Sequence, residues 1–204
     1  MKTTILTIVA VSLFVGLIFA AVPGDKPVII KIIAPDDVYV DSHLSDKLKQ
    51  RLTRRSDLRI LCPDQLGTTT PDFPDDYYNF DSLTSWGAEI GGRYLLVIDI
   101  TAQYLERRKT FHLPLIFHKY ENVGVCEGEL RLLDLTRSKM LTAEPFKIEL
   151  NGPRVFQATM DDDKGDPDLH LSATDKILFF SKLEDKVCEH IEKKTTRYLR
   201  RNYK

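Results

Sequence analysis

The run Tyr94-Leu95-Leu96-Val97-Ile98-Asp99-Ile100 is the most strand-like stretch of the chain, bulky or β-branched at nearly every position. A strand this apolar on both faces has no side to turn to water, so it belongs at the centre of a sheet, continuing outward toward Tyr104. Val28 to Ile33 has the same character and stops at Pro35. It reads as a second strand covered on both faces, which obliges other elements to pack above and below. The sequence supplies them. After a possible Asp41-Ser42 cap, Leu44, Leu48 and Leu52 recur at spacing four, with Lys47, Lys49, Gln50 and Arg51 on the remaining faces. Leu58 to Cys62, ended by Pro63, is a short strand, so the body opens with strand, helix, strand.

From Gly67 to Phe80 the chain is a polar loop. Ser82 to Ile90 forms a short helix that carries Trp86 and ends at Gly91-Gly92. Beyond the central strand, Phe111 to Tyr120, Val123 to Leu135 and Met140 to Leu150 read as an antiparallel set. In the last of these Phe146, Ile148 and Leu150 alternate with Lys147 and Glu149. After Gly152-Pro153 and an acidic loop, Asp161 to Asp168, Ser172 and Asp175 cap a long terminal helix. Ile177, Phe180, Leu183, Val187 and Ile191 form its apolar face. The expected fold class is α+β (mixed α/β), a mixed sheet of about five strands with helices packed on it, in one domain over residues 28–204.

Ahead of this body, Lys2 is followed by an apolar run from Ile5 to Val22, then a short linker over residues 23–27. One cation before an apolar stretch is the pattern of a secretory signal. The run is also just long enough to span a hydrocarbon core of about 30 Å as an uncleaved transmembrane helix. Either reading places the body outside the cytoplasm, exported, with the membrane reached through the N-terminal segment. The net charge of -1 offers no concentrated basic face for nucleic acid. A basic C-terminus, Lys193 to Lys204, suits the negative end of a helix dipole and could also touch an anionic surface.

Motifs for catalysis are missing: there is no glycine-rich phosphate loop, GxSxG elbow, HExxH or GxGxxG. Cys62, Cys126 and Cys188 lie far apart without zinc-ligand spacing and read as small buried hydrophobes, though two could pair in an oxidising compartment. His112 and His118, on one predicted strand, would be roughly 20 Å apart and unable to share a metal. Cys188 and His190 point to different helix faces. In the acidic loop Asp161, Asp163 and Asp166 alternate as calcium ligands do, but the glycine and glutamate of an EF-hand are absent, so it reads as a solvated loop. No cofactor or metal site is expected, and no enzyme; a hydrolase is a remote alternative.

The surface singled out for binding is the aromatic, acidic loop before the short helix. Phe73, Tyr77, Tyr78 and Phe80 alternate there with Asp72, Asp75, Asp76 and Asp81. Such rings serve as anchors for a protein partner or as stacking faces for a glycan, or they fold back as a satellite core.

Five stretches together carry a family likeness: Val28 to Ile33, the helix through Leu44, Leu48 and Leu52, Leu58 to Leu61, Ala88 to Val97, and Leu130 to Thr136. In them the chain resembles envelope proteins: the amino-terminal domain of the Tol-system periplasmic protein, the curli-secretion lipoprotein, and lipoprotein activators of penicillin-binding proteins. The resemblance implies an anticodon-binding-like sheet used to dock an envelope protein partner rather than to catalyse. A peptidoglycan- or glycan-binding module is the alternative. The chain departs from the group in lacking a lipidation cysteine after the apolar run, and in the Phe111 to Tyr120 segment and the acidic loop.

Overall fold

A computed structural model describes residues 27–35, 38, 43–55, 58–63, 70–113, 117–158 and 171–202. The elements are β1 (Val28–Ile33), α1 (Leu44–Arg55), β2 (Ile60–Leu61), α2 (Phe80–Glu89), β3 (Tyr94–Leu113), β4 (Phe117–Asp134), β5 (Lys139–Ala158) and α3 (Ala173–Asn202). They form one five-stranded sheet in the order β2-β1-β3-β4-β5 with three helices packed on it, the mixed α/β architecture expected. β1 is parallel to both β2 and β3, and β3, β4 and β5 are antiparallel.

Period-two alternation sorts the side chains into two cores. On one face Val28, Ile30, Leu96, Ile98 and Leu132 meet Leu44, Leu48 and Leu52 of α1 and Leu183, Val187 and Ile191 of α3. On the other Ile29, Leu95, Val97 and Leu133 meet Leu83 and Trp86 of α2. The apolar continuity of β1 and β3 is thus explained, since each is covered on both sides. α3 comes close to the strands because Gly124 and Gly152 have no side chains. A Cβ at either would lie 2.5 Å or 2.7 Å from the Phe179 ring.

Helix ends follow local chemistry. The Ser172 hydroxyl accepts the Asp175 N–H at 3.1 Å and donates to its carboxylate at 2.6 Å, the expected cap. Asn79 Oδ1 accepts from the N–H groups of Asp81 and Ser82, so α2 starts two residues before the expected Ser82. It ends in a Schellman turn, in which Gly91 at φ +80° lets the Gly92 N–H reach the Gly87 carbonyl at 3.1 Å.

Four expectations need correction. Phe111 to Tyr120 is not a separate strand: residues 111–113 end β3 and 117–120 begin β4, which places His112 directly opposite His118 rather than along one strand from it. Pairing of β3 with β4 divides the run between two strands, and the distance argument against a shared metal falls with it. On α3, Ile177 is 57% exposed and Phe179 is buried in its place; the apolar face joins the core only once α3 reaches β4 and β5. The second strand shortens to Ile60–Leu61. The expectation of a transmembrane helix is overturned: among the described residues no helix is long and apolar enough to cross a membrane. α3 has the length, but it carries charges throughout. Residues 1–22, where that reading fell, lie outside the described residues, as do the linker at 23–26, Asp41, Ser42 and the acidic loop at 161–168.

All three cysteines are buried free thiols, and burial pushes Cys126 and Cys188 up to about 12.

Candidate functional site

The aromatic loop and the first turn of α2 lie on the face of the sheet opposite α1 and α3. Three of the four candidate rings, Phe73, Tyr77 and Phe80, are half-buried and pack on the second core. Phe73 sets its edge against Trp86, with ring centres 4.8 Å apart at 90°, and lies 6.1 Å from Tyr77. Trp86 Nε1 donates to the Pro71 carbonyl at 3.0 Å, which ties the loop to α2. The fourth ring differs. Tyr78 is 62% exposed, yet its ring rests 4.7 Å from that of Tyr77 at a tilt of 32°.

What holds Tyr78 is a pair of buried charges from the sheet. Asp99 of β3 accepts the Tyr78 hydroxyl on Oδ2 at 2.8 Å. Arg131 of β4 places a guanidinium nitrogen 4.0 Å from the same oxygen, and both charged side chains are almost wholly buried. The guanidinium carbon lies 4.6 Å from the Tyr78 ring centre and 5.5 Å from that of Tyr77. Arg131 Nη1 donates to the Tyr77 carbonyl at 2.7 Å, while Nε and Nη2 have no hydrogen-bond partner. The hydrogen bond to Asp99, then burial, then the Asp99 charge push the Tyr78 hydroxyl up to about 12, so it remains a donor throughout the physiological range.

Both charges escaped the sequence reading, although each interrupts an apolar run, Ile98-Asp99-Ile100 and Leu130-Arg131-Leu132. They meet because Asp99 pairs with Glu129 and Val97 with Arg131, which makes Asp99 and Arg131 diagonal neighbours on one face. A buried charge inside a central strand calls for a partner, and that was the available signal.

A shallow groove of about 400 Å³ opens beside this cluster, between the end of β1 and the loop, with Phe73 and Tyr77 on one wall. Lys31 Nζ lies 5.6 Å over the Phe73 ring. Among the described residues no group of three or more His, Cys, Asp or Glu side chains is placed to hold a metal. The arrangement presents one exposed, immobilised ring on a rigid polar support, a geometry that suits recognition.

No family model and no curated protein matches the chain. Solved structures similar to it include rare lipoprotein B from Shewanella oneidensis, 15% identical, covering 86% of this chain and 99% of that one at a TM-score of 0.40. Protein XCC0632 from Xanthomonas campestris is 9% identical, with 87% of each chain covered and a TM-score of 0.48. The LpoB C-terminal domain from Escherichia coli is 7% identical, covering 63% of this chain and 85% of that one at 0.37. At such values these likenesses bear on neither partner nor chemistry.

Proposed function

We propose that this chain is a non-enzymatic, extracytoplasmic protein of the cell envelope that docks a protein partner through the surface around Tyr78. Export is supported by the cation and apolar run at residues 2–22. Docking is supported by one observation above the rest: Tyr78 is exposed while its hydroxyl and ring are fixed by Asp99, Arg131 and Tyr77. An aromatic ring already held in place loses little conformational freedom on binding, the property that makes Tyr a frequent interface anchor. The glycan alternative has less behind it, because Phe73, Tyr77 and Phe80 pack inward and leave one ring, not a platform, to stack on a sugar.

The test is crosslinking in the native cell followed by mass spectrometry, comparing the natural chain with Tyr78→Ala. Substituting Tyr78 alone is the cleaner choice, since Tyr77 also packs on the core. Enrichment of one envelope protein that Tyr78→Ala loses is the expected result. Enrichment unchanged by the substitution contradicts this surface, and quenching of Tyr fluorescence by cell-wall fragments with no protein enriched favours the glycan module.

A further inference from the structure

The last twelve residues, Lys193 to Lys204, hold six cations and no acid, although the whole chain has a net charge of -1. α3 carries that segregation to one end of the domain. Its Phe179 lies against Gly152 of β5, Lys186 donates to the Glu149 carbonyl at 3.3 Å, and Lys194 and Tyr198 both donate to the Glu144 carboxylate. α3 therefore runs antiparallel to β5 and ends toward the start of that strand. Lys139, which begins β5, pairs with Asp134, Asp134 with Tyr94, and Tyr94 with Val28. The basic end of α3 thus lies at the end of the sheet where the chain enters it.

Arg197 follows Lys193 by four residues and is itself followed by Arg200 and Arg201 at three and four, so these four exposed cations share one helix face. With Thr196 and Glu192 they line a shallow groove of about 420 Å³. The Glu192 side chain is buried and lies 3.9 Å from Arg51, which leaves the accessible rim cationic. The helix dipole accounts for Arg200 and Arg201 in the last turn, but its reach is too short to explain Lys193 and Arg197. Strand ends at the same level add exposed cations. Arg59 precedes Ile60, the partner of Val28, while Arg137 and Lys139 belong to the turn from β4 to β5. Against them stand Asp134, which is buried, and Glu89 at the end of α2.

We infer that this end of the domain lies on the anionic headgroups of a phospholipid bilayer, with Lys193, Arg197, Arg200 and Arg201 against the lipid phosphates. A cluster of about four to eight Lys and Arg is enough to be drawn to an anionic lipid surface. Position selects a bilayer over other polyanions. The apolar run and its linker lead into the sheet at Val28, so an exported domain leaves the membrane with this end nearest to it. The contact also leaves the docking surface clear, because Tyr78 bonds to Asp99, which pairs with Ile33 at the opposite end of β1. The inference goes beyond the docking reading and shares with it the premise of export.

Flotation of the full-length protein with vesicles provides the test, comparing pure phosphatidylcholine with phosphatidylcholine and phosphatidylglycerol in equal parts. Any contribution of the apolar run at residues 5–22 is common to both, so the readout is the excess bound to the anionic vesicle. That excess is expected to be at least about tenfold at low salt, to shrink as salt is raised, and to be lost in the triple variant Arg197→Gln, Arg200→Gln and Arg201→Gln. A charge-matched control, Lys147→Gln, Lys182→Gln and Lys186→Gln, removes cations elsewhere and is expected to keep the excess. All six side chains are exposed, so neither variant disturbs the core. A smaller excess in the natural chain overturns the inference, as does an excess that the arginine variant keeps. An excess lost equally in both variants also overturns it, since net charge is then the cause. Self-association of the natural chain that the arginine variant abolishes, without an anionic excess, assigns this end to a second copy and overturns it too. Each of these failures leaves the docking reading standing, because capture through Tyr78 is read on a different surface by the crosslinking test.

Discussion

Two exposed tyrosines on the same face of the sheet each donate to a carboxylate, and they differ in what stands behind the acid. Tyr78 donates to Asp99 at 2.8 Å and Tyr104 to Glu127 at 3.2 Å. Asp99 is buried beside buried Arg131, whereas Glu127 is only half-buried and bonded to exposed Lys147 at 2.7 Å. Arg131 and Glu127 are four residues apart on β4, so both sit on one face. Around Tyr104 the outer face is a ladder of solvated ion pairs: Arg108 grips Glu149 with two bonds of 2.7 Å and also meets Glu106, with Val123 and Val125 buried beneath. Water screens such pairs, and their side chains give up conformational freedom to form them. At Tyr78 the same groups are withdrawn from water, where a charge without its partner is costly. The lesson is that one chemical pairing serves as a solvated surface at one end of the face and as a rigid support for an exposed ring at the other.

The largest effect that sharpens this contrast is loss of one buried charge. Arg131→Ala leaves Asp99 buried without its cation and frees the Tyr77 carbonyl, so chemical denaturation is expected to show a loss of about 3–5 kcal/mol. A loss below about 1 kcal/mol would place Asp99 and Arg131 in the same class as the outer ladder. Next comes Glu144→Gln on β5, whose carboxylate meets Lys194 and Tyr198 near the end of α3. Lys194, then Tyr198, hold the Glu144 carboxyl down at about 2. A depressed carboxyl stabilises the fold above its unfolded value of about 4.5, and that contribution is lost as pH falls from about 4.5 through 2. For this partly exposed group the loss at pH 7 is on the order of 1 kcal/mol, and the Gln variant is expected to flatten the acid limb of the stability profile.

A similar magnitude, about 1 kcal/mol, is expected for Tyr78→Phe, which leaves a buried Asp99 oxygen short of one donor. Its signature is spectroscopic. The raised Tyr78 hydroxyl favours the folded state below pH 10, and that contribution fades as pH rises from about 10 to 12. Ultraviolet titration of the Phe variant is expected to lack a late phenolate that the natural chain shows. Lys147→Ala, on the exposed ladder, is expected to leave the melting temperature within error. A drop as large as that of Tyr78→Phe would erase the distinction between the two regions.

Much of this fold was legible because it is written locally. The leucines at 44, 48 and 52, the Ser172–Asp175 cap and the strands at 28–33 and 94–100 each declare themselves within a few residues. The β3–β4 hairpin did not, since Phe111 to Tyr120 lacks an Asn-Gly or Asp-Gly turn pair. The site divides the same way. The loop aromatics stood out by composition, but the support beneath Tyr78 joins Asp99 and Arg131 across 32 positions of sequence and depends on register, which only the paired strands fix. Which of the four rings faces solvent depended equally on packing against Trp86.

The most direct test of the central claim places a photoreactive amino acid at position 78 in one strain and at position 104 in another, each in the otherwise natural chain, and irradiates intact cells. The docking account predicts an adduct to a single envelope protein from position 78 and none from position 104. Equal adducts from both positions, or an adduct from 104 alone, would contradict it.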